Sequence, residues 1–110
     1  MNYSVVPINK FKREAKRLIK KYPSLRAELT ELNEILSTDP TIGTPLGNDT
    51  YKIRVAIRSK GKGKSGGARI ITYVIMENKE VYLLTIYDKS EFDTIDNSVL
   101  KKVVENLKKK

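Results

Sequence analysis

Residues 51–76 read YKIRVAIRSKGKGKSGGARIITYVIM and contain the clearest structural signal in the chain. Residues 51–58 alternate apolar and mainly charged side chains, which is typical of a β-strand with one face in solvent. Residues 59–67 are rich in glycine and lysine and predict a loop. Residues 68–76 are mostly apolar or β-branched and predict a second strand. We expect these two strands to pair as antiparallel neighbours in one sheet.

Two further elements are predicted on the carboxyl-terminal side of this stretch. A polar turn at residues 77–80 leads into a third strand at residues 81–87. A helix is expected to begin near Asp96, because aspartate is a favoured N-cap residue and apolar residues follow at helical spacing. Those apolar residues are Val99, Leu100, Val103, Val104 and Leu107.

The amino-terminal half predicts a short strand and a helical hairpin. Residues 3–8 are rich in β-branched side chains, and Pro7 restricts them to a sheet edge or a strand end. Two amphipathic segments follow, for which Asn9 and Ser24 are the expected N-cap residues, and a proline ends each of them. Residues 39–50 contain proline, glycine, asparagine and aspartate and predict a loop.

The predicted order is strand, helix, helix, strand, strand, strand, helix, which indicates an α+β fold. We expect an antiparallel sheet with the helical hairpin on one face. Residues 1–110 are expected to form one domain, since a chain of 110 residues has room for one hydrophobic core.

The composition excludes several kinds of chemistry. The chain contains no cysteine and no histidine, so it has no disulfide, no thiolate zinc site and no histidine proton shuttle. We therefore expect neither a metal nor a cofactor. No apolar run approaches the roughly 20 residues that span a bilayer, and no signal peptide is evident, so a cytoplasmic protein without a membrane partner is expected.

Positive charge is concentrated in the middle of the chain. The formal net charge is +9, and residues 51–69 contain seven basic residues and no acidic one. Arg54 and Arg69 fall within adjacent predicted strands, where pairing can bring them together on the face opposite the helices. Such a cluster of cations favours a polyanionic partner, and a phosphate fits it. The simpler interpretation of the lysines in residues 59–67 is a solvated loop.

One nucleotide-binding pattern is rejected. Gly63-Lys64-Ser65 matches the end of a phosphate-binding loop, but the pattern requires glycine at position 58, where this chain has Arg58. It also requires a helix afterwards, whereas residues 68–76 predict a strand. Nucleotide hydrolysis is therefore not expected.

Three segments in order resemble toxins of the RelE superfamily, most closely the HigB branch. They are Tyr51-Lys52-Ile53-Arg54, the segment Gly67-Ala68-Arg69-Ile70-Ile71-Thr72-Tyr73, and the segment Leu83-Leu84-Thr85-Ile86-Tyr87-Asp88-Lys89-Ser90-Glu91. The run GKGKSGGAR at residues 61–69 is also similar to that branch. The resemblance covers residues 51–100 well, and residues 1–50 match mainly in element order.

The resemblance implies a toxin of a type II toxin–antitoxin system that cuts messenger RNA in the ribosomal A site and inhibits translation. It implies a HigA-like helix-turn-helix antitoxin, with DNA contacted only through that partner. The implied catalytic residues are Lys52, Arg54, Arg69 and Lys89, and the implied RNA-binding residues are Arg58, Lys60, Lys62, Lys64 and Tyr87. The chain departs from relatives that place a stacking tyrosine at the start of the last helix, since it has only Phe92 and Ile95 there.

The residue types suit this chemistry. RNA supplies its own nucleophile, the 2′-hydroxyl, so the protein must stabilise charge on the phosphate and move protons. Arginine keeps its proton and suits phosphate stabilisation, whereas neighbouring cations destabilise a protonated lysine and could convert Lys52 into a general base and Lys89 into a general acid. The sequence alone does not assign which lysine carries which proton. Glu91 is a rival base, although a solvated carboxylate is the simpler interpretation, and Tyr73 and Tyr82 are expected in the core. Two alternatives stay open: a non-enzymatic ParE-type inhibitor of DNA gyrase, and a non-catalytic RNA- or ribosome-binding module.

Overall fold

A computed structural model describes residues 2–61, 66–91 and 96–108. In these residues three helices pack on a mixed sheet of five strands. The strands are β1 (Ser4–Pro7), β2 (Thr44–Gly47), β3 (Thr50–Val55), β4 (Ala68–Ile75) and β5 (Glu80–Asp88), and the helices are α1 (Asn9–Lys21), α2 (Leu25–Thr38) and α3 (Asn97–Lys108). A short 3-10 turn, Arg58–Lys60, follows β3. The predicted α+β class is confirmed.

The sheet has the order β1-β5-β4-β3-β2 and differs from the prediction in two respects. β1 lies at the edge, as Pro7 indicated, but it pairs with β5 in parallel rather than antiparallel. β2 is an additional strand within residues 39–50, which were predicted as a loop. All four residues of β2 are exposed, so no apolar alternation marks it in the sequence. Its pairing with β3 alone defines it.

Helices cover both faces of the sheet. α1 and α2 form the predicted hairpin and bury apolar side chains against one face, which we call the hairpin face. The core on the hairpin face includes Phe11, Leu18, Leu25, Leu32, Leu36, Ile53, Val55, Ile70 and Ile86. α3 packs on the opposite face, whose core consists of Ile71, Tyr73, Leu84, Tyr87, Leu100 and Val104. Tyr73 is therefore a core residue, and the partly buried Tyr82 packs beside it, as expected. None of the helices in the described part of the chain is apolar and long enough to cross a bilayer.

The residues at the helix starts agree with the sequence in two cases of three, Asp96 and Ser24. Asp96 accepts hydrogen bonds from the backbone N–H and the hydroxyl of Ser98 at 2.8 and 2.7 Å, which confirms it as a cap. Asn9 is the first helical residue rather than the cap, because Ile8 occupies the N-cap position. Ser24 is the N-cap of α2, but its hydroxyl bonds to Glu28 and Ser59 instead of the helix backbone. Ser24 therefore joins α2 to the turn after β3.

Glu14 of α1 forms hydrogen bonds to the sheet at a β-bulge in β5. The β4–β5 register shifts between Ile71 and Thr72, which leaves Leu84 as the extra residue. Glu14 of α1 accepts hydrogen bonds from the Thr85 hydroxyl at 2.7 Å and from the Ile86 backbone N–H at 3.3 Å. It therefore satisfies a strand donor next to the irregular pairing.

We expect Glu14→Ala to lower the free energy of unfolding by about 1 to 3 kcal/mol, because it leaves partly buried donors of β5 without their acceptor. The matched control is Glu34→Ala, an exposed glutamate of α2, which should change stability by less than about 0.5 kcal/mol. Urea unfolding of both variants measures the difference, and equal losses would show that the contact to β5 contributes nothing.

Candidate active site

The pairing of three strands places two arginines and a tyrosine in one row across the sheet. Arg54 of β3 lies directly opposite Arg69 of β4, and Arg69 lies directly opposite Tyr87 of β5. Directly opposite residues point to the same face, and neighbouring strands lie about 4.8 Å apart, so the row spans about 10 Å. We call these three residues the central row. It lies on the face opposite the hairpin, as predicted, although α3 also packs on that face.

Two lysines flank the central row on opposite sides. Lys52 precedes Arg54 by two residues in β3, so it lies on the same face and diagonally to Arg69. Lys89 follows Tyr87 by two residues, and its backbone N–H donates to the carbonyl of Gly67 at 3.0 Å, which extends the β4–β5 ladder by one step. Lys89 is therefore diagonal to Arg69 on the other side, and each diagonal is roughly 7 to 8 Å between Cα atoms.

The approach of these strands at the Lys89 end depends on Gly67. A Cβ atom added at this glycine would overlap the backbone carbonyl of Val55, so no larger residue fits without moving β3 away from β4. The glycine thus permits the close backbone packing that brings Arg54, Arg69 and Lys89 to one end of the sheet.

Arg69 is the buried cation of the central row, and it lies beside the positive charge of Arg54. Its side chain is only 4% exposed, whereas Arg54 is exposed. Burial lowers the pKa of Arg69, the positive charge of Arg54 lowers it further, and Tyr87 acts in the opposite direction. Burial raises the pKa of Tyr87, while Arg69 acts to lower it. Like charges directly opposite each other in a sheet destabilise it, so an anion held between the two arginines is favourable.

Arg58 is placed away from the central row. Its guanidinium forms ion pairs with Glu28 and Glu31 of α2, each at 3.2 Å, and its backbone N–H donates to Glu28 at 2.7 Å. Since both carboxylates belong to the hairpin, this geometry gives Arg58 a structural role and does not support the predicted RNA contact.

Lys60 is also bound within the protein. Its side chain is 10% exposed and forms an ion pair with Asp88, which is fully buried on the hairpin face. Lys60 was predicted as a solvated or RNA-binding loop residue, and this placement does not support either interpretation. Lys62 and Lys64, the remaining loop lysines, lie outside the described residues, as do Phe92 and Ile95.

Asp88 is a buried carboxylate with four hydrogen-bond donors, and the sequence did not indicate this role. Besides Lys60, it accepts hydrogen bonds from the Tyr22 hydroxyl at 2.8 Å and from the backbone N–H and hydroxyl of Ser90 at 3.0 and 2.8 Å. Burial acts to raise the pKa of Asp88, but the hydrogen bonds from Lys60, Ser90 and Tyr22 outweigh it and hold the pKa well below its usual range. Asp88 thus joins the end of α1, the turn after β3 and the residues on either side of Lys89.

Two other predicted residues have partners that limit their roles. Tyr87 is 4% exposed and packs with Leu100 and Val104 of α3, so its position does not support stacking on an RNA base. Glu91 forms an ion pair with Arg17 of α1 at 2.9 Å, which agrees with a surface carboxylate rather than a general base. No group of three carboxylate side chains suited to holding a metal ion occurs among the residues that the structure describes.

The element order, the mixed sheet and the helical hairpin define the fold of RelE toxins, and comparison with solved structures confirms this fold. The toxin RelE of E. coli, solved in the free state as a mutant with two arginines changed to alanine, matches with a TM-score of 0.64 and 19% identity over 96% of this chain and 98% of that chain. The toxin–antitoxin complex RelBE2 of Mycobacterium tuberculosis matches with a TM-score of 0.60 and 20% identity over 80% of this chain and 99% of that chain. No family model matches the sequence.

We expect Asp88→Asn to lower the free energy of unfolding at neutral pH by about 3 kcal/mol, because it leaves the charge of Lys60 buried without its counterion. The double variant Asp88→Asn/Lys60→Met removes that charge and should recover most of the loss. Because the folded state lowers the pKa of Asp88, its stabilisation is complete above the ordinary aspartate pKa of about 3.9 and declines as the pH falls below it. Unfolding curves should therefore show the gap between parent and Asp88→Asn narrowing in acid, and a gap independent of pH would contradict this role.

Proposed function

We propose that residues 1–110 form a single RelE-type toxin domain that cuts messenger RNA on the ribosome without a metal ion. The observation that supports this most is the arrangement of Lys52 and Lys89 on opposite sides of the Arg54–Arg69 pair. A phosphodiester held by the two arginines would have one lysine on each side.

This arrangement matches the requirements of attack by the RNA 2′-hydroxyl. A bond forms between the 2′-oxygen and phosphorus while the bond from phosphorus to the 5′-oxygen breaks, and the products are a 2′,3′-cyclic phosphate and a 5′-hydroxyl. The attacking and leaving oxygens lie on opposite sides of phosphorus, so the base and the acid must approach from opposite directions. Lys52 lies on β3 and Lys89 directly follows β5, so β4 separates them, and they are displaced from each other by four residue positions along the strand direction. This geometry places their Cα atoms about 17 Å apart.

The roles follow from the charges of the four residues. Arg54 and Arg69 stabilise the negative charge that grows on the phosphate oxygens through their guanidinium groups. Lys52 accepts the proton of the 2′-hydroxyl from its position diagonal to Arg69. Lys89 donates a proton to the leaving 5′-oxygen. The RNA nucleophile explains why the site needs no serine, cysteine or histidine.

The partners of this function are the ribosome with its message and an antitoxin. The fold shared with RelBE2, which was solved as a toxin–antitoxin complex, supports an antitoxin for this chain. The sequence resemblance to the HigB branch favours a HigA-like helix-turn-helix antitoxin, through which alone the toxin would contact DNA. The neighbouring reading frame in the genome would test this assignment, because it should encode a small helix-turn-helix protein.

The proposal predicts that this protein cuts message on ribosomes in the presence of EDTA. Arg54→Ala should slow cutting by roughly 100- to 1000-fold, because one contact to the transition-state phosphate is lost. Arg69→Ala should abolish cutting with a smaller loss of ribosome affinity. The matched control is Arg26→Ala, an exposed arginine of α2, which should cut at the parent rate. Primer extension on the recovered message measures both the rate and the positions of cutting.

Other results would contradict the proposal in identifiable ways. Intact message with normal ribosome binding would favour the non-catalytic RNA-binding module. Inhibition of gyrase in a supercoiling assay, without any cutting, would favour the ParE-type inhibitor. An Arg54→Ala variant as active as the Arg26→Ala control would show that the central row does not hold the reacting phosphate.

A further inference from the structure

Lys89 differs from the other proposed catalytic residues in lying outside a strand, since β5 ends at Asp88. Lys52, Arg54 and Arg69 lie within β3 and β4, and the pairing of these strands fixes their positions. A general acid must stay within hydrogen-bond reach of the leaving group, and a displacement of about 1 Å can slow a reaction on the order of 100-fold. The contacts that hold Lys89 in place therefore matter for the proposed reaction.

Lys89 occupies the second position of a tight turn that begins at Asp88. The backbone N–H of Glu91 donates to the carbonyl of Asp88 at 2.9 Å and closes the turn. The backbone N–H of Lys89 donates to the carbonyl of Gly67 at 3.0 Å and joins the turn to the residue before β4. A strand end at the surface opens easily when backbone bonds alone hold it, so side-chain contacts decide how well the turn is fixed.

The side chains of the other three turn residues attach the turn to the hairpin side of the sheet. Asp88 is fully buried there and forms its ion pair with Lys60. Ser90 donates to the same carboxylate through its backbone N–H at 3.0 Å and its hydroxyl at 2.8 Å. Glu91 accepts two hydrogen bonds from Arg17 of α1, at 2.9 and 3.3 Å. All three attachments lie on the side of the sheet opposite the central row.

The contacts of Asp88 form a closed cluster, which we call the Asp88 anchor and which consists of Asp88, Lys60, Tyr22 and Ser90. The Tyr22 hydroxyl donates to the carboxylate at 2.8 Å, and the Lys60 ammonium lies 5.4 Å from the centre of the Tyr22 ring. Lys60 also donates to the Ser90 hydroxyl at 3.3 Å. Separating a buried carboxylate from its cation is strongly unfavourable, so the anchor holds both neighbours of Lys89 firmly.

We infer that the Asp88 anchor positions Lys89 for protonation of the leaving 5′-oxygen, an inference that rests on the proposed function. As the bond from phosphorus to the 5′-oxygen breaks, the Lys89 ammonium gives a proton to that oxygen. The oxygen leaves as a 5′-hydroxyl, and the neutral amine regains a proton from water. Asp88 and Lys60 act from the other side of the sheet by keeping this ammonium in place, so they are positioning residues.

The location of the anchor limits its effect to one end of the site. Lys52 lies at the other end, about 17 Å from Lys89. Arg54 and Arg69 are held by the β3–β4 ladder, which the anchor does not enter. Loss of the anchor should therefore impair proton donation and leave the base and the phosphate contacts intact. Such a defect lowers kcat and leaves KM nearly unchanged.

The test uses a leaving group that needs no proton. A message is synthesised with sulfur in place of the bridging 5′-oxygen at the position where the parent protein cuts on the ribosome. Cutting then releases a thiolate, which is far more stable than an alkoxide because an ordinary thiol has a pKa of about 8.5. A general acid contributes little to this reaction, so a displaced proton donor should no longer slow it.

The main variant is Asp88→Ala/Lys60→Met, which removes the anchor without leaving a buried charge unpaired. We expect its kcat on the ordinary message to fall roughly 100-fold, with KM within about twofold of the parent value. On the sulfur message it should cut within about threefold of the parent rate. Lys89→Ala should show the same pattern, and adding it to the main variant should slow cutting no further than Lys89→Ala alone, because the substitutions act on one step.

Two further variants separate positioning from a general loss of stability. Ser90→Ala changes an exposed residue and removes one bond to Asp88, so it should fold normally. We expect it to slow cutting of the ordinary message by roughly 3- to 10-fold and to leave the sulfur message unaffected. The matched control is Glu14→Ala, which weakens the attachment of α1 to β5 away from the turn and should cut both messages at the parent rate. Urea unfolding reports the folded fraction of each variant.

The inference is overturned by either of two results with folded variants. Cutting of the ordinary message at the parent rate by Asp88→Ala/Lys60→Met and Ser90→Ala would show that Lys89 needs no anchor. Equal losses on both messages would show that the anchor supports the whole site rather than the proton donor. A parent protein that cuts neither message would instead overturn the proposed function, and the inference with it.

Discussion

The pairing register of β3 with β4 is the constraint on which the site depends, because it places Arg54 opposite Arg69. Two like charges in this position repel each other, so their pairing must be imposed by other interactions. Alternate residues of the same strands, among them Ile53 and Ile70, are buried against the hairpin. A slip of one residue would move these apolar side chains to the opposite face and bring the arginines into the core. The burial of Ile53 and Ile70 on the hairpin face therefore fixes the register that keeps Arg54 opposite Arg69, although the two arginines repel each other.

Three groups of basic residues in the described part of the chain have different surroundings. Arg58 and Lys60 are paired with carboxylates and hold the turn after β3 against the hairpin. Arg54 and Arg69 face each other across two strands, with a lysine on either side. The cations of α1 lie on the outer side of the hairpin. The net charge of the chain does not distinguish these groups. A basic side chain stabilises the fold where it pairs with a carboxylate, and it destabilises the fold where it faces another cation.

Much of the fold follows from the sequence, because apolar periodicity reports directly on burial. It indicated the helical hairpin, the three central strands and α3, and alternation indicated that Arg54 and Arg69 would share a face. The exposed strand β2 has no such pattern, and the parallel pairing of β1 depends on which distant strand lies beside it. Asp88 was not anticipated because its partners, Tyr22 and Lys60, are 66 and 28 residues away. For the same reason Lys60 was interpreted as a loop cation.

The proposed site depends on the two like charges of Arg54 and Arg69, which lie opposite each other and would be stabilised by an anion. The most direct measurement compares unfolding of the parent and Arg54→Ala in chloride and in inorganic phosphate at equal ionic strength. We expect the variant to be at least as stable as the parent in chloride, and we expect phosphate to stabilise the parent more than the variant. A variant less stable than the parent in chloride, with the same response to phosphate, would contradict it.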